Sequence, residues 1–519
     1  MIARSEIAGT VVKLNLGDIG FMVTAGAGCT LLAIVQTLLG GELIPSILLS
    51  GAAFFGLLAV NVAGATSAVG LLNLILVGRV LLGAFAAKNL LLEQPITADM
   101  LDPLSTAETM FLGFIGVWLG TLITNHMVKP IPLFGLQSDP QHLRALLAVM
   151  LVATVVSSVA VRFTGGDGEV LAGGAWGIAK ALTSTRNLSL PILMLYLART
   201  GSKRWLTHPA VIALALFLFV IGVLSNSKQS MAEPVVFYIL MAIARYGWRH
   251  PVGWVVVPIG LVLFQFFIYP ISQYARNAGG TTKNPIEAAI ATGGIVGDYL
   301  TNASFREYVR GQATSGGHWD DGTAYLPPKL VAVGRFALVG EADRLVSASN
   351  VYQLTEWDTI TNSLLLAVPH FLYPNKPQEG SGNYLARYTG DLPSTDVSTQ
   401  VSYGFMANSY NAFGIGWVFP LSLLTVLLVL IPVSLISHGK AYENPWSMFA
   451  LVSLHQAYAE SSFSGLFGAF QMPILAAALL ATALAFLWIQ GRSQTTVLTR
   501  EGTSLPAVDS KSLTDFTRP

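Results

Sequence analysis

RFALVGEADRL (335–345), AVPHFLYPNKP (367–377) and MANSYNAFGIGW (406–417) are the polar, motif-bearing parts of one stretch in a chain that is otherwise almost entirely apolar. That contrast decides the fold class. Of 519 residues, 53% are hydrophobic and 11% charged, too apolar for a surface that water must solvate. The chain therefore reads as an all-α polytopic membrane protein. A formal charge of +1 gives no clustered Lys/Arg excess of the kind phosphate backbones require, which excludes nucleic acid as a partner. The single cysteine, Cys29, allows neither an intrachain disulfide nor a cysteine metal site, and it reads as a packing residue of the first span.

Outward from the polar stretch, segments of the roughly 20 apolar residues needed to cross about 30 Å of hydrocarbon follow one another. They fall near 18–39, 43–64, 66–87, 108–128, 142–162, 171–197, 208–225, 231–248, 252–271, 412–437, 446–468 and 472–490, about 12 transmembrane helices. Four regions result: spans one to nine in 1–271, a large external loop in 272–411, spans ten to twelve in 412–490, and a polar tail in 491–519 that reads as disordered and cytoplasmic.

Cytoplasmic loops hold the Lys/Arg excess, which sets the orientation. With the N-terminus inside, Arg4, Lys13, Lys129, Arg144, Arg199, Lys203, Arg204, Arg245, Arg249, Lys440 and the tail all fall on the cytoplasmic side. The opposite short loops keep Lys88, Arg162 and Lys228, diluted by Glu93, Asp99, Asp102, Asp167 and Glu169. Both termini are then cytoplasmic and the 272–411 loop is periplasmic or extracellular. So long a loop should carry helices. The expected ones are 285–300, with Pro285 in its first turn, 327–347, opened by Pro327 and Pro328, and 355–368, where Thr355 can cap.

Ionisable groups inside spans cost several kcal/mol unless paired or facing water. Arg79 in the third span and Lys180 in the sixth both lie about nine or ten residues, or about 13–15 Å, below the outer surface. No acid sits at that level on either helix. In KALTSTRNLS, Lys180, Thr183 and Asn187 share one stripe, and Thr183, Arg186 and Ser189 the next. Such a face suits a cationic cavity open outward. The alternative has Lys180 snorkelling to the surface and Arg186 paired with a span acid such as Glu460. Lys228, in the outer turn SNSKQS, is either a second anion contact or simply solvated.

Within the loop, Arg335 and Asp343 stand about 80° apart on a helix and can face one site, whereas Arg344 falls three after Glu341, a spacing for a surface ion pair. Three prolines in AVPHFLYPNKP make a stiff extended segment that presents His370 and Lys376. That rigidity serves either a substrate-lining loop or a re-entry to the membrane anchored by Phe371 and Tyr373.

Pro369, Pro374, Lys376 and Pro377, followed by Tyr410, Phe413, Gly414 and Trp417, resemble motifs of the oligosaccharide repeat-unit polymerases of the O-antigen polymerase (Wzy) type. Arg335-Phe336 and Asp343-Arg344 resemble that family's arginine-bearing loop helix, and Ser227-Lys228 its turn before a span. His370 stands where the family has arginine, and Asn408-Ser409 where an acid is common. The resemblance implies a membrane glycosyltransferase of the bacterial inner (plasma) membrane, acting on polyprenyl-diphosphate-linked oligosaccharides, with a chain-length regulator and a flippase as partners. A sugar hydroxyl of one repeat unit would attack the anomeric carbon of a chain on polyprenyl diphosphate, and the lipid diphosphate would leave. Cations must take up the charge and a base the proton. Arg79, Lys180, Arg186 and Lys228 offer the charge from the membrane side, and Arg335, Arg344 and Lys376 from the loop; Asp343 or His370 offers the base. No cofactor is implied, and with no Asp-x-Asp pair or His cluster no metal is expected.

Three other activities compete with this reading, the first of them poorly separated from it by sequence. A glycan ligase would use the same donor with another acceptor. A transporter of twelve spans would show two related halves, which this chain lacks. A transferase using monosaccharide-lipid donors would favour an acidic pair in the first outer loop, where Glu42 stands alone, although Asp99 and Asp102 occupy the second.

Overall fold

The computed structural model describes residues 19–131, 140–163, 188–202, 204–224, 228–246, 255, 259–260, 262–279, 285–315, 325–327, 330, 334, 336–368, 373, 381–394, 401–463 and 465–467. All lie in one compact unit, Met1–Ala476, and every regular element among them is a helix. Helices α1 (Ile19–Leu38), α2 (Leu43–Ala63), α3 (Ala68–Leu91), α4 (Pro103–Met127) and the segment Ile415–Glu443 are long and apolar enough to cross a membrane. Shorter apolar helices lie within α5 (Pro140–Phe163), α6 (Ser189–Arg199), α7 (Pro209–Leu224) and α8 (Lys228–Tyr246), on the spans expected fifth to eighth. The chain is thus built to pass a membrane several times.

Helix α9 (Tyr269–Gly279) straddles the end of the span expected ninth, and the segment expected as the loop carries α10 (Pro285–Thr301), α11 (Ala303–Ser315), α12 (Val339–Val351), α13 (Glu356–Ala367), α14 (Ser381–Tyr388) and most of α15 (Gly404–Phe413). Helices α16 (Ile415–Ile436) and α17 (Pro445–Glu460) follow. Local chemistry sets several of these starts. The Ser67 hydroxyl accepts from Gly70 N at 2.9 Å and caps α3. Asp102 caps α4 with Pro103 in the first turn, and Asn444 caps α17 with Pro445 behind it.

Small residues bring the spans together, as expected where lipid supplies no hydrophobic drive between helices. On α4, a Cβ at Gly113 would meet Met406, one at Gly116 the Leu423 nitrogen, and one at Gly120 the Val426 side chain. Asn73 on α3 donates to Thr121 on α4 and accepts from Tyr458 on α17, so three spans share one buried polar node.

The connections sort onto two ends of the bundle. At one end Gln36 accepts from Ile96 N and Tyr325 donates to Ile96 O. At the other, Ile131 N donates to Leu435 O and Ala441 N to Thr66 O, at 2.8 Å each, and Arg199 donates to Glu443 O.

Two expected boundaries are corrected and a third holds. The helix bearing Asp343 and Arg344 begins at Val339 rather than 327, because Leu338 N donates to Arg79 O at 3.1 Å instead of joining a helical ladder. The span expected over 412–437 is α16, set off from α15 at Gly414, whose φ of +76° no other residue type adopts as cheaply. The span expected over 446–468 stops at Glu460; beyond it Phe463 N turns to the side-chain oxygen of Asn408 at 3.2 Å. Thr355 does precede α13, but its hydroxyl bonds Asn411 at 2.8 Å and caps nothing.

Candidate functional site

Helix α3 is not regular to its end. It widens into π turns at Gly78–Leu82 and Ala86–Leu91, and a third π turn, Phe264–Ile268, precedes α9. A π turn removes carbonyls from the i→i−4 ladder, and each of these three spends one outside the helix. Arg79 O accepts from Leu338 N, Lys88 O from Gln94 N at 2.9 Å, and Phe266 O from the Tyr299 hydroxyl. The first two turns carry the cations of α3.

Arg79 projects from the first π turn to an ion pair with Glu460, the last residue of α17. The other Glu460 oxygen accepts from Gln456 Nε2 at 2.9 Å. The guanidinium thus lies at the C-terminal end of α17, where the helix dipole also favours a cation. Its carbon sits 5.8 Å from the centroid of the Phe336 ring, which belongs to the loop. Four residues on, an ideal Cβ at Gly83 would lie 1.8 Å from the Phe336 carbonyl oxygen. Only glycine admits that approach. The segment 336–338 is therefore seated directly on the span that carries Arg79.

Lys88, in the second π turn, is fully buried. Its Nζ lies 2.7 Å from the Asp99 carboxylate and 4.6 Å from the Tyr325 ring centroid. Asp99 holds a φ of +63°, a strained geometry that this pairing helps to fix. Burial first, then the Asp343 and Asp99 carboxylates, push the Tyr325 phenol well above its usual value, so it remains a donor to Ile96 O.

Asp343 and Arg344 are neighbours on α12 that turn to different partners. Asp343 is buried and accepts from Leu101 N at 2.6 Å, Asp102 N at 3.1 Å and the Thr106 hydroxyl at 2.8 Å. Burial raises its carboxyl above the ordinary value, while these three donors pull it back. Arg344, expected at the surface beside Glu341, is buried and pairs with Asp391 at 2.6 Å. Asp391 also accepts from Tyr403 at 2.5 Å and Thr389 at 2.8 Å, which leaves the pair well solvated by protein groups. A further bridge, Asn350, donates to Asp102 and accepts from Tyr410, tying α12 to both α4 and α15.

Of the residues singled out from sequence, Arg79, Asp343 and Arg344 are thus within one region where α12 meets α3 and α4. Lys228 opens α8. Lys180, Arg186, Arg335, His370 and Lys376 lie outside the described residues. The Arg79 level does hold an acid, but from a third span: Glu460 is nowhere near α3 in sequence. Lys88 is a buried span residue rather than a loop charge. Asp391, Tyr325 and Tyr403 were not expected at all; nothing in their local spacing marks them.

The arrangement offers one membrane-level guanidinium whose carboxylate partner an anion would have to displace, beneath a loop segment that contacts it. Among the described residues no three His, Cys, Asp or Glu side chains gather as metal ligands would. Comparison with protein-family models, with curated proteins and with solved structures finds no match to this chain.

Proposed function

We propose that this protein joins polyprenyl-diphosphate-linked oligosaccharide repeat units on the outer face of the bacterial plasma membrane. The observation that carries the reading is the seating of 336–338 on α3 beside Arg79: a loop that bears sugar-recognition candidates and a span that bears a cation meet at one place. The Lys/Arg distribution puts that end of the bundle outside. About twelve spans, both termini cytoplasmic and the 272–411 segment as the external loop complete the topology.

In this reading the lipid diphosphate enters from the bilayer and competes with Glu460 for Arg79, with Lys180, Arg186 and Lys228 as further contacts and Arg335, Arg344 and Lys376 as contacts from the loop. A sugar hydroxyl attacks the anomeric carbon, the bond to the diphosphate breaks, and the proton passes to a base. Both Asp343 oxygens are taken by donors from 101–106. That favours His370 as the base and gives Asp343 the task of holding α12 in position.

The test is to incubate the full-length protein in detergent with a polyprenyl-diphosphate oligosaccharide and resolve the products by length. A ladder of longer glycans that disappears on Arg79→Ala supports the reading. A single transfer to a lipid-free or protein acceptor without a ladder makes the protein a ligase, and movement of the lipid across vesicles without new glycosidic bonds makes it a transporter.

A further inference from the structure

Helix α13 buries hydroxyls on one face and exposes large apolar side chains on another. Its buried stripe is hydroxyl-bearing: Thr359 is 4% and Ser363 0% exposed, continuing from Thr355 just ahead of the helix. The opposite stripe, at the 3-4 spacing of one helix face, is Trp357, Ile360 and Leu364, continued by Val368 just past the helix end. Trp357 is 63% and Leu364 54% exposed, with Ile360 and Val368 half-buried. The hydroxyls are used inward. Thr355 pairs with Thr359 at 2.5 Å and with Asn411 at 2.8 Å, and Ser363 donates to Thr359 O at 2.6 Å.

The outward stripe is also continuous with the side of a membrane span. Trp357 packs edge-on against Phe413 at 5.0 Å, and Phe413 against Trp417 at 5.4 Å between ring centroids. Trp417 heads the exposed apolar stripe of α16, which runs on through Leu424, Leu428 and Ile431. With a rise of about 1.5 Å per residue, the 22 residues of α16 cover about 33 Å, against roughly 30 Å of hydrocarbon. Trp417, in the first turn, therefore marks the edge of the hydrocarbon, the level at which tryptophan is enriched. Glu356 and Asp358 flank the Trp357 stripe about 100° to either side and bound how deep the helix can sit. Glu356 keeps a strained φ of +46° at the very turn that points Trp357 toward Phe413.

From this geometry we infer that α13 is an interfacial helix, lying along the boundary of headgroups and acyl chains with Trp357, Ile360, Leu364 and Val368 in lipid. The bilayer is the occupant of its apolar face because that face has no edge: it merges through Phe413 and Trp417 with the lipid-facing side of α16. The loop is then moored to the membrane at a second place, apart from the Phe336 contact on α3. The inference is independent of the reaction proposed above.

Spin labels test it in the full-length protein with Cys29→Ala, reconstituted in phosphatidylcholine/phosphatidylglycerol vesicles. Leu364→Cys and Trp357→Cys report the apolar stripe, and Asn362→Cys reports an exposed position about 140° around the same helix. Leu428→Cys on α16 calibrates lipid contact. At 364 and 357, collisions with oxygen dissolved in the bilayer should exceed those with a water-soluble nickel chelate, as at 428, and the preference should reverse at 362. Preference for the nickel chelate at 364 and 357 overturns the inference. So does shielding of both from either reagent, or dipolar broadening between copies, each of which means that protein covers the face. Two reporters on one face guard against a single variant that fails to fold.

Discussion

Arg79 and Glu460 form an ion pair across 381 positions of sequence, joining the π turn of α3 to the last residue of α17. Both side chains are largely withdrawn from solvent, at 16% and 6% exposure, so neither charge can lose the other cheaply. Removing one partner of a buried pair costs about 3–5 kcal/mol, most of it from the charge left behind. Glu460→Ala should lower thermal stability in detergent by an amount in that range. The double variant Arg79→Ala/Glu460→Ala should be no less stable than Glu460→Ala alone. Additive losses in that cycle would show that the two residues are not coupled.

The contact of Gly83 with the Phe336 carbonyl makes a sharper steric prediction. Gly83→Ala should unseat 336–338, lowering the melting temperature and opening the loop to proteolysis. Gly78 is the control, since a Cβ there would meet nothing within 4 Å. Gly78→Ala should be neutral or gain up to about 1 kcal/mol from helix propensity. Equal behaviour of the two variants in limited proteolysis would refute the seating.

Arg344 and Asp391 form the second buried pair, with side chains 10% and 6% exposed. Arg344→Ala leaves Asp391 with only Tyr403 and Thr389 as donors and should cost about 3–5 kcal/mol. Arg344→Lys should recover only part, because an ammonium cannot reproduce the fixed fork of the guanidinium. Calorimetric melts of the two variants decide it, and full rescue by lysine counts against the geometry.

Asp343 predicts a pH dependence. Its carboxyl is raised in the fold by burial, above the ordinary value of 3.8. The native state therefore binds the proton more tightly than the unfolded chain, and the slope of stability with pH is negative between the two values. The contribution is fully present below 3.8 and is lost as pH rises through the raised native value. Melting temperatures of the wild type and Asp343→Asn, followed together from acidic to neutral pH, should shift relative to each other in favour of the variant as pH rises. A constant difference across that range would show that the carboxyl is not raised.

Much of the bundle was legible residue by residue. The apolar runs beginning near 18, 43, 66 and 412 are helices because a backbone in hydrocarbon must bond to itself. Pro285 opens α10 as its fixed φ allows, and Thr355 stands at the start of α13. The errors share one cause. Val339 replaced 327 as the start of α12 because a distant carbonyl, Arg79 O, claimed the Leu338 N–H. Helix α17 ended at Glu460 with its chain turning to Asn408, and the Thr355 hydroxyl went to Asn411 rather than to its own helix. In each case a group with an adequate local partner found a better one from another part of the chain.

The same division runs through the charges. Sequence alone determined that Arg79 sits within a span and needs compensation, and that the chain forms apolar helices long enough to cross a membrane several times. These follow from hydrophobic run length and from the cost of an isolated charge in hydrocarbon, both local quantities. Only the tertiary structure decided that Arg79 meets Glu460, Lys88 meets Asp99, Arg344 meets Asp391 and Asp343 meets the entry to α4. Pairing is a property of which helices lie side by side. That is fixed by small-residue contacts such as Gly113, Gly116 and Gly83, whose effect on distant side chains has no periodicity along the chain.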